Sequence, residues 1–363
     1  ITEEVVDMGN GLEADYLADP GRVRNKIAFA YLGILEGSSK ESKNLHRSEK
    51  TALAIKYGAK GIILYNTADN GVLLTGTASV TGKLIPIPAV CIGKEDGFAL
   101  RKLLATGKQY AHIAMTNFSG KIKARNIIAT LPGTAPAEDK IVVGGHLDSW
   151  DLATGAIDNG IGSFSVLDMA RTFKALSLAP RRSIEFVLFM GEEEGLLGSK
   201  AYLKAAMKDG SVNRIGFMLN YDMTNDPKGY AATTEDCRDL FQEIGAIAQK
   251  LDAGFTNSFQ SGAGLHSDHQ PFMLAGIPTG GAAGGTLPNN SGRCYHADCD
   301  DFSLVDETGL RNTVRFNAML LYGLADTDLI PAKRLDDQAT KELMLKSNLK
   351  EPLKIAGEWR WKD

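Results

Sequence analysis

Apolar residues in this chain recur in two rhythms. Through residues 26–115, short apolar runs predict strands at Lys26–Leu32, Gly61–Tyr65, Ile87–Ile92 and Tyr110–Met115, with amphipathic helices over roughly 42–57 and 95–105 between them. The polar run Asn117–Lys123 reads as a linker. Beyond it, strand, loop and helix repeat: Asn126–Leu131, Ile141–Val143, Ile184–Met190 and Ile215–Tyr221 are strand-like. The helix after Asp158 rests on Phe164, Leu167, Ala170 and Phe173 at helical spacing, and another runs from Asp306 to Leu324.

This alternation predicts an α/β fold with a mostly parallel, doubly wound sheet, preceded by a smaller α/β domain. The expected divisions are 1–118, 119–330 and 331–363, the last a charged tail whose Trp359 and Trp361 pack back on the larger domain. No internal repeat or low-complexity segment interrupts the pattern. Ser267 reads as the N-cap of a short helix opening at Asp268-His269.

With 363 residues, 44% of them apolar, the chain can bury one large core and one small one. A net charge of -4 and no stripe of Lys or Arg argue against nucleic acid or an anionic membrane as partner. No apolar stretch is long enough to cross a bilayer. The chain starts at Ile1 rather than Met, so a processed or trimmed form is expected and residence is not read from its start. Cys294 and Cys299 are either bridged, which implies an oxidising compartment, or two free thiols, while Cys91 and Cys237 read as packing residues.

Chemistry gathers where strands end. Gly-Gly-His146-Leu-Asp148 follows one apolar run, with Asp158-Asn159-Gly160 close behind; Glu192-Glu193-Glu194 follows the next, and Asp222 the third. Ligands bind outside the carboxyl ends of strands in such sheets. Three consecutive acids repel unless a cation holds them, and His, Asp and Glu are donors that zinc accepts. Asp148 is placed to support the other ring nitrogen of His146. With His296, the count matches two zinc ions ~3.5–4 Å apart, each with one histidine and one acid, sharing a bridging acid and leaving one acid to move protons. His46, His112 and His266 have no acidic partner in register, and His269 reads as a helix-start residue.

These segments, together with Gly-Leu-Leu-Gly-Ser199, Asp222-Met-Thr-Asn, Ser267-Asp268-His269 and Tyr295-His296, resemble the co-catalytic two-zinc exopeptidases over about residues 120–325. That family includes bacterial secreted aminopeptidases and plasma glutamate carboxypeptidase. The resemblance implies that His146 and Asp222 hold one zinc, that Glu193 and His296 hold the other, and that Asp158 bridges them. It implies Glu192 as general base, Asp148 as the acid behind His146, Tyr295 as oxyanion stabiliser, and a cis peptide at Asp158-Asn159. The first 118 residues resemble a protease-associated domain, most clearly over Ala54–Asn66. In the glutamate carboxypeptidase-like branch a further piece of the catalytic domain precedes that insert, so the expectation is either truncation or processing here or a member that lacks that layer.

The implied function is removal of single N-terminal residues, with dipeptidase or glutamate carboxypeptidase-like action as the alternative. The implied partner is a peptide or dipeptide, the implied location secreted or periplasmic, and a homodimer stays open. Another class is a binding protein on the same scaffold, as in transferrin receptors, which would not need all five ligands and Glu192. A one-zinc glutaminyl cyclase fits the full ligand set less well.

Overall fold

The computed structural model describes residues 1–135 and 139–362. They form two compact units: residues 1–122, 293–299 and 350–362 in the first, and 123–135, 139–292 and 300–349 in the second.

In the first unit β1 (Thr2–Asp7), α1 (Glu13–Leu17), β2 (Ile27–Tyr31), α2 (Arg47–Lys56), β3 (Gly61–Tyr65), β4 (Ala89–Ile92), α3 (Lys94–Thr106) and β5 (Gln109–His112) follow in chain order. The sheet runs β4-β3-β2-β1-β5, parallel except for β5 at its edge. Every residue of β3 is buried, as a parallel strand covered on both faces requires. Ala28, Ala30, Ile62 and Leu64 pack on one face with Leu53 of α2, whereas Ile27, Phe29, Ile63 and Tyr65 face Phe98 and Leu104 of α3.

The second unit contains β6 (Ile127–Leu131), β7 (Lys140–His146), α4 (Ile161–Ala175), β8 (Ser183–Phe189), α5 (Leu197–Asp209), β9 (Ile215–Asn220), β10 (Gly229–Ala232) and α6 (Arg238–Leu251). It continues with β11 (Ser258–Ser261), α7 (His269–Leu274), β12 (Thr279–Ala283), α8 (Glu307–Asp326) and α9 (Asp337–Lys346). Its sheet runs β11-β10-β12-β9-β7-β8-β6. The strands from β12 to β8 are parallel, β6 is antiparallel on its edge, and β10 is antiparallel to β12. Ile141 and Val143 point to the face covered by α4, α6 and α8, and Val142 points to the face of α5 and α7. This is the doubly wound arrangement expected from the alternating pattern.

Several details differ from the expectation. Helix α4 buries Ile161, Val166, Met169 and Phe173, while Phe164 and Leu167 are 63% and 53% exposed. The apolar stripe is rotated because Ile161 and Val166 belong to it. Strands β10, β11 and β12 are four or five residues long and rich in Gly, Ala and Ser, so no apolar run announces them. The tail is not one piece packed on the larger domain. Residues 300–349 belong to the second unit, whereas α10 (Lys350–Ile355) lies against α2, with Ile355 on the first unit's core. Asp363 lies outside the described residues.

Candidate metal centre

β7, β8 and β9 end side by side, so His146, the turn 191–195 and Asp222 emerge together at the carboxyl ends of these strands. Two glycines allow the close approach. A Cβ on Gly145 would lie 2.5 Å from the Tyr221 carbonyl oxygen, and one on Gly162 would overlap both that oxygen and Asn159 Oδ1. Asn159 uses this space to donate from Nδ2 to the Tyr221 carbonyl (3.0 Å) and to accept at Oδ1 from the Met223 amide (2.9 Å). The loop carrying Asp158 is thereby tied to the end of β9, and the Asp158-Asn159 peptide is cis.

His146 is 1% exposed, with Nε2 3.2 Å from Asp158 Oδ1 and 3.4 Å from Asp222 Oδ1. Its Nδ1 donates to the main-chain carbonyl of Asp148 at 2.9 Å, which leaves Nε2 facing the two carboxylates. Burial opposes the charged imidazole, but the bonds to Asp158 and Asp222 outweigh it and raise the pKa well above the usual value. Donor atoms of His146, Asp158 and Glu193, all buried, lie within 4.8 Å of one another. Glu193 Oε2 accepts from the Trp150 indole N–H at 2.8 Å. Asp222 Oδ2 accepts from the Ser267 hydroxyl at 2.6 Å, and Ser267 accepts in turn from Asn220 Nδ2 at 2.7 Å.

The carboxylate of Asp148 does not stand behind His146. Its Oδ1 accepts the amides of Gly191 (2.8 Å) and Glu192 (3.1 Å), and its Oδ2 accepts that of Glu193 (3.1 Å). The orienting acceptor for His146 is the Asp148 main chain. The side chain instead neutralises a fan of amide dipoles in the turn that presents the acids, a charge-assisted use of a carboxylate. Ser267 likewise turns its hydroxyl to Asp222 and caps no helix; Asp268 holds the N-cap position of α7.

Burial pushes the Glu192 carboxyl up to about 10, and Asp222, Asp268 and Glu193 add to the shift while His146 opposes it. Asp268 is fully buried, and burial pushes its carboxyl up to about 7. Inward-facing carboxylates around one imidazole make a nitrogen-and-oxygen donor set that suits zinc, with oriented ligands and a surplus of negative charge that a cation would compensate.

Tyr295 and His296 lie in the segment 293–299, described with the first unit. Their rings stack at 3.8 Å. Thr75 donates its amide to the His296 carbonyl (2.9 Å), and its own carbonyl faces His296 Nδ1 (3.3 Å). Arg47 reaches the Tyr295 hydroxyl at 3.5 Å. Cys294 and Cys299 are joined in a disulfide that closes this short segment.

Sequence reasoning passed over Asp300, whose carboxylate accepts the amides of Ile157 and Asp158, and over Trp150 and Asn220. Each acts on a residue distant in the chain, so no local spacing marks it.

Comparison with known proteins bears on this arrangement. The family model described as Peptidase family M28 matches residues 126–321, and a PA domain model matches residues 1–100. The chain is 30% identical to aminopeptidase YwaD of Bacillus subtilis over 76% of its own length and 56% of that protein's. It is 26% identical to mouse carboxypeptidase Q over 78% of its length and 60% of the relative's. It therefore spans roughly three fifths of these curated relatives. Among solved structures it is similar to BSAP, a zinc aminopeptidase from Bacillus subtilis, with a TM-score of 0.63 at 27% identity over 93% of this chain and 78% of that one.

Proposed function

We propose that this chain, which belongs to peptidase family M28, acts as a two-zinc exopeptidase of the aminopeptidase type on peptides or dipeptides. The observation that carries the reading is the buried group of His146, Asp158 and Glu193, with Asp222 on the same imidazole. Similarity to YwaD and to BSAP supports the aminopeptidase choice.

In this reading His146 and Asp222 would hold one zinc, Glu193 would hold the other, and Asp158 would serve both. His296 as the remaining ligand and Tyr295 as oxyanion donor enter through the family resemblance. Bound zinc supplies the positive charge that polarises the scissile carbonyl and acidifies water. Glu192, next in the chain to Glu193 and returned to its ionised form by the charge of bound zinc, takes the proton of the attacking water and returns it to the departing amine. Asp148, holding the amides of both glutamates, keeps the base and the ligand in a fixed relation. The disulfide supports a secreted or periplasmic location, where such bonds persist.

Mouse carboxypeptidase Q favours a second reading, action on dipeptides or at the carboxyl end. Assays of aminoacyl-arylamides, N-blocked peptides and free dipeptides, each with and without chelator, separate the two. Chelator-sensitive cleavage of free-amine arylamides is expected. Cleavage that ignores chelator would sink the metal mechanism, and cleavage confined to N-blocked substrates or dipeptides would sink the aminopeptidase reading.

A further inference from the structure

We propose that Asp300 is a positioning residue that aims the carboxylate of Asp158 at the metal centre, an inference that rests on the two-zinc reading. Asp300 is 4% exposed, and its side chain is spent on two consecutive amides. Oδ1 accepts from Ile157 N–H at 2.8 Å and Oδ2 from Asp158 N–H at 3.0 Å. Its main-chain carbonyl accepts from Thr154, through the amide at 3.2 Å and the hydroxyl at 3.3 Å. One residue thus holds both ends of the loop 154–158.

The rest of Asp158 is held as well. Ser149 Oγ donates to its carbonyl oxygen at 2.6 Å. The following side chain, Asn159, bridges Tyr221 and Met223. Asp158 itself has non-helical φ/ψ (-114°, 90°) inside a helical turn, so neighbouring helical bonds do not dictate its conformation. With the amide, carbonyl and next residue all anchored, Asp158 keeps only its own side-chain torsions, and its Oδ1 faces His146 Nε2. A ligand prepared in this way loses little freedom when it binds metal, and partners of ligands are commonly worth tenfold to a hundredfold in affinity.

A carboxylate is needed because two diverging N–H groups require two acceptors. Asp300→Asn keeps the size and one acceptor but turns an amide NH2 toward a backbone N–H. Ser149→Ala removes the other anchor at an exposed residue and leaves the core untouched.

The test compares wild type, Asp300→Asn and Ser149→Ala after metal removal. It measures circular dichroism and melting of the stripped proteins, zinc affinity by competition with a chromophoric chelator, and the visible spectrum of the cobalt-loaded forms. Stripped Asp300→Asn is expected to stay folded, bind zinc about 10–100-fold more weakly and show an altered cobalt spectrum. Ser149→Ala is expected to lose about fivefold, the worth of one neutral hydrogen bond. Unchanged zinc affinity in folded Asp300→Asn overturns the proposal. If that variant does not fold without metal, it is prepared zinc-loaded and its rate of zinc loss to the chelator is compared with wild type; an unchanged rate overturns the proposal. Wild type that binds no zinc would instead fail the two-zinc reading itself.

Discussion

His146 Nδ1 bonds to the main-chain carbonyl of Asp148, while the Asp148 carboxylate turns to the amides of residues 191–193. One residue therefore orients a histidine from one strand end with its backbone and two glutamates from the next with its side chain. In the zinc-loaded protein, Asp148→Ala is expected to leave the Nδ1–H tautomer of His146 unchanged, as read by 15N NMR, while kcat falls with the displaced Glu192. A switched tautomer in the variant would return the orienting role to the carboxylate.

Glu192→Gln keeps volume and removes the basic oxygen. Zinc content should stay at the wild-type level and kcat should drop by about 10²–10⁴, the usual contribution of a positioned proton-transfer group. Turnover near wild type with zinc bound would remove Glu192 from the mechanism.

Gly162 has no room for a Cβ, because Asn159 Oδ1 and the Tyr221 carbonyl occupy the space. Gly162→Ala is expected to destabilise the protein by about 1–3 kcal/mol, the typical cost of overpacking, and to loosen Asn159. Thermal melting measures the loss; an unchanged midpoint would show that the loop shifts freely.

Lys50 is fully buried in the first unit, with Nζ donating to the carbonyls of Tyr31 (2.5 Å) and Gly33 (3.2 Å). Burial pushes its pKa down to about 7, against the pull of Asp15 and Glu49. Between about pH 7 and the ordinary lysine value near 10.4, the unfolded chain holds a proton that the folded unit does not. Stability contributed by this residue therefore rises with pH across that window and is flat below it. Denaturant unfolding followed by tryptophan fluorescence should show this rise, and Lys50→Met should flatten it. Equal slopes in the two proteins would mean that Lys50 stays charged.

Much of the fold was legible because it is written locally. β3 and β7 are continuous apolar runs, and such runs fit only a sheet covered on both faces. The candidate site has a related local mark: His146 ends one apolar strand, Glu193 and Asp222 come shortly after two others, and neighbouring parallel strands bring their carboxyl ends to one end of the sheet. Strands β10 to β12 escaped because Gly, Ala and Ser carry little periodic signal. The buried face of α4 was misjudged because Phe164 and Leu167 are apolar yet exposed.

What the amino-acid order determined by itself was therefore the alternation of strands and helices and the kinds of donor placed at the strand ends. Only the tertiary structure decided how those donors are held: His146 by the Asp148 carbonyl, the turn carrying Glu193 by the Asp148 carboxylate, Asp222 through Ser267, and Asp158 through Asp300. It also decided that residues 293–299 and 350–362 belong with the first unit. Hydrogen bonds between residues 43 to 143 positions apart depend on where remote backbones come to lie, and no local pattern of apolar and polar residues records that.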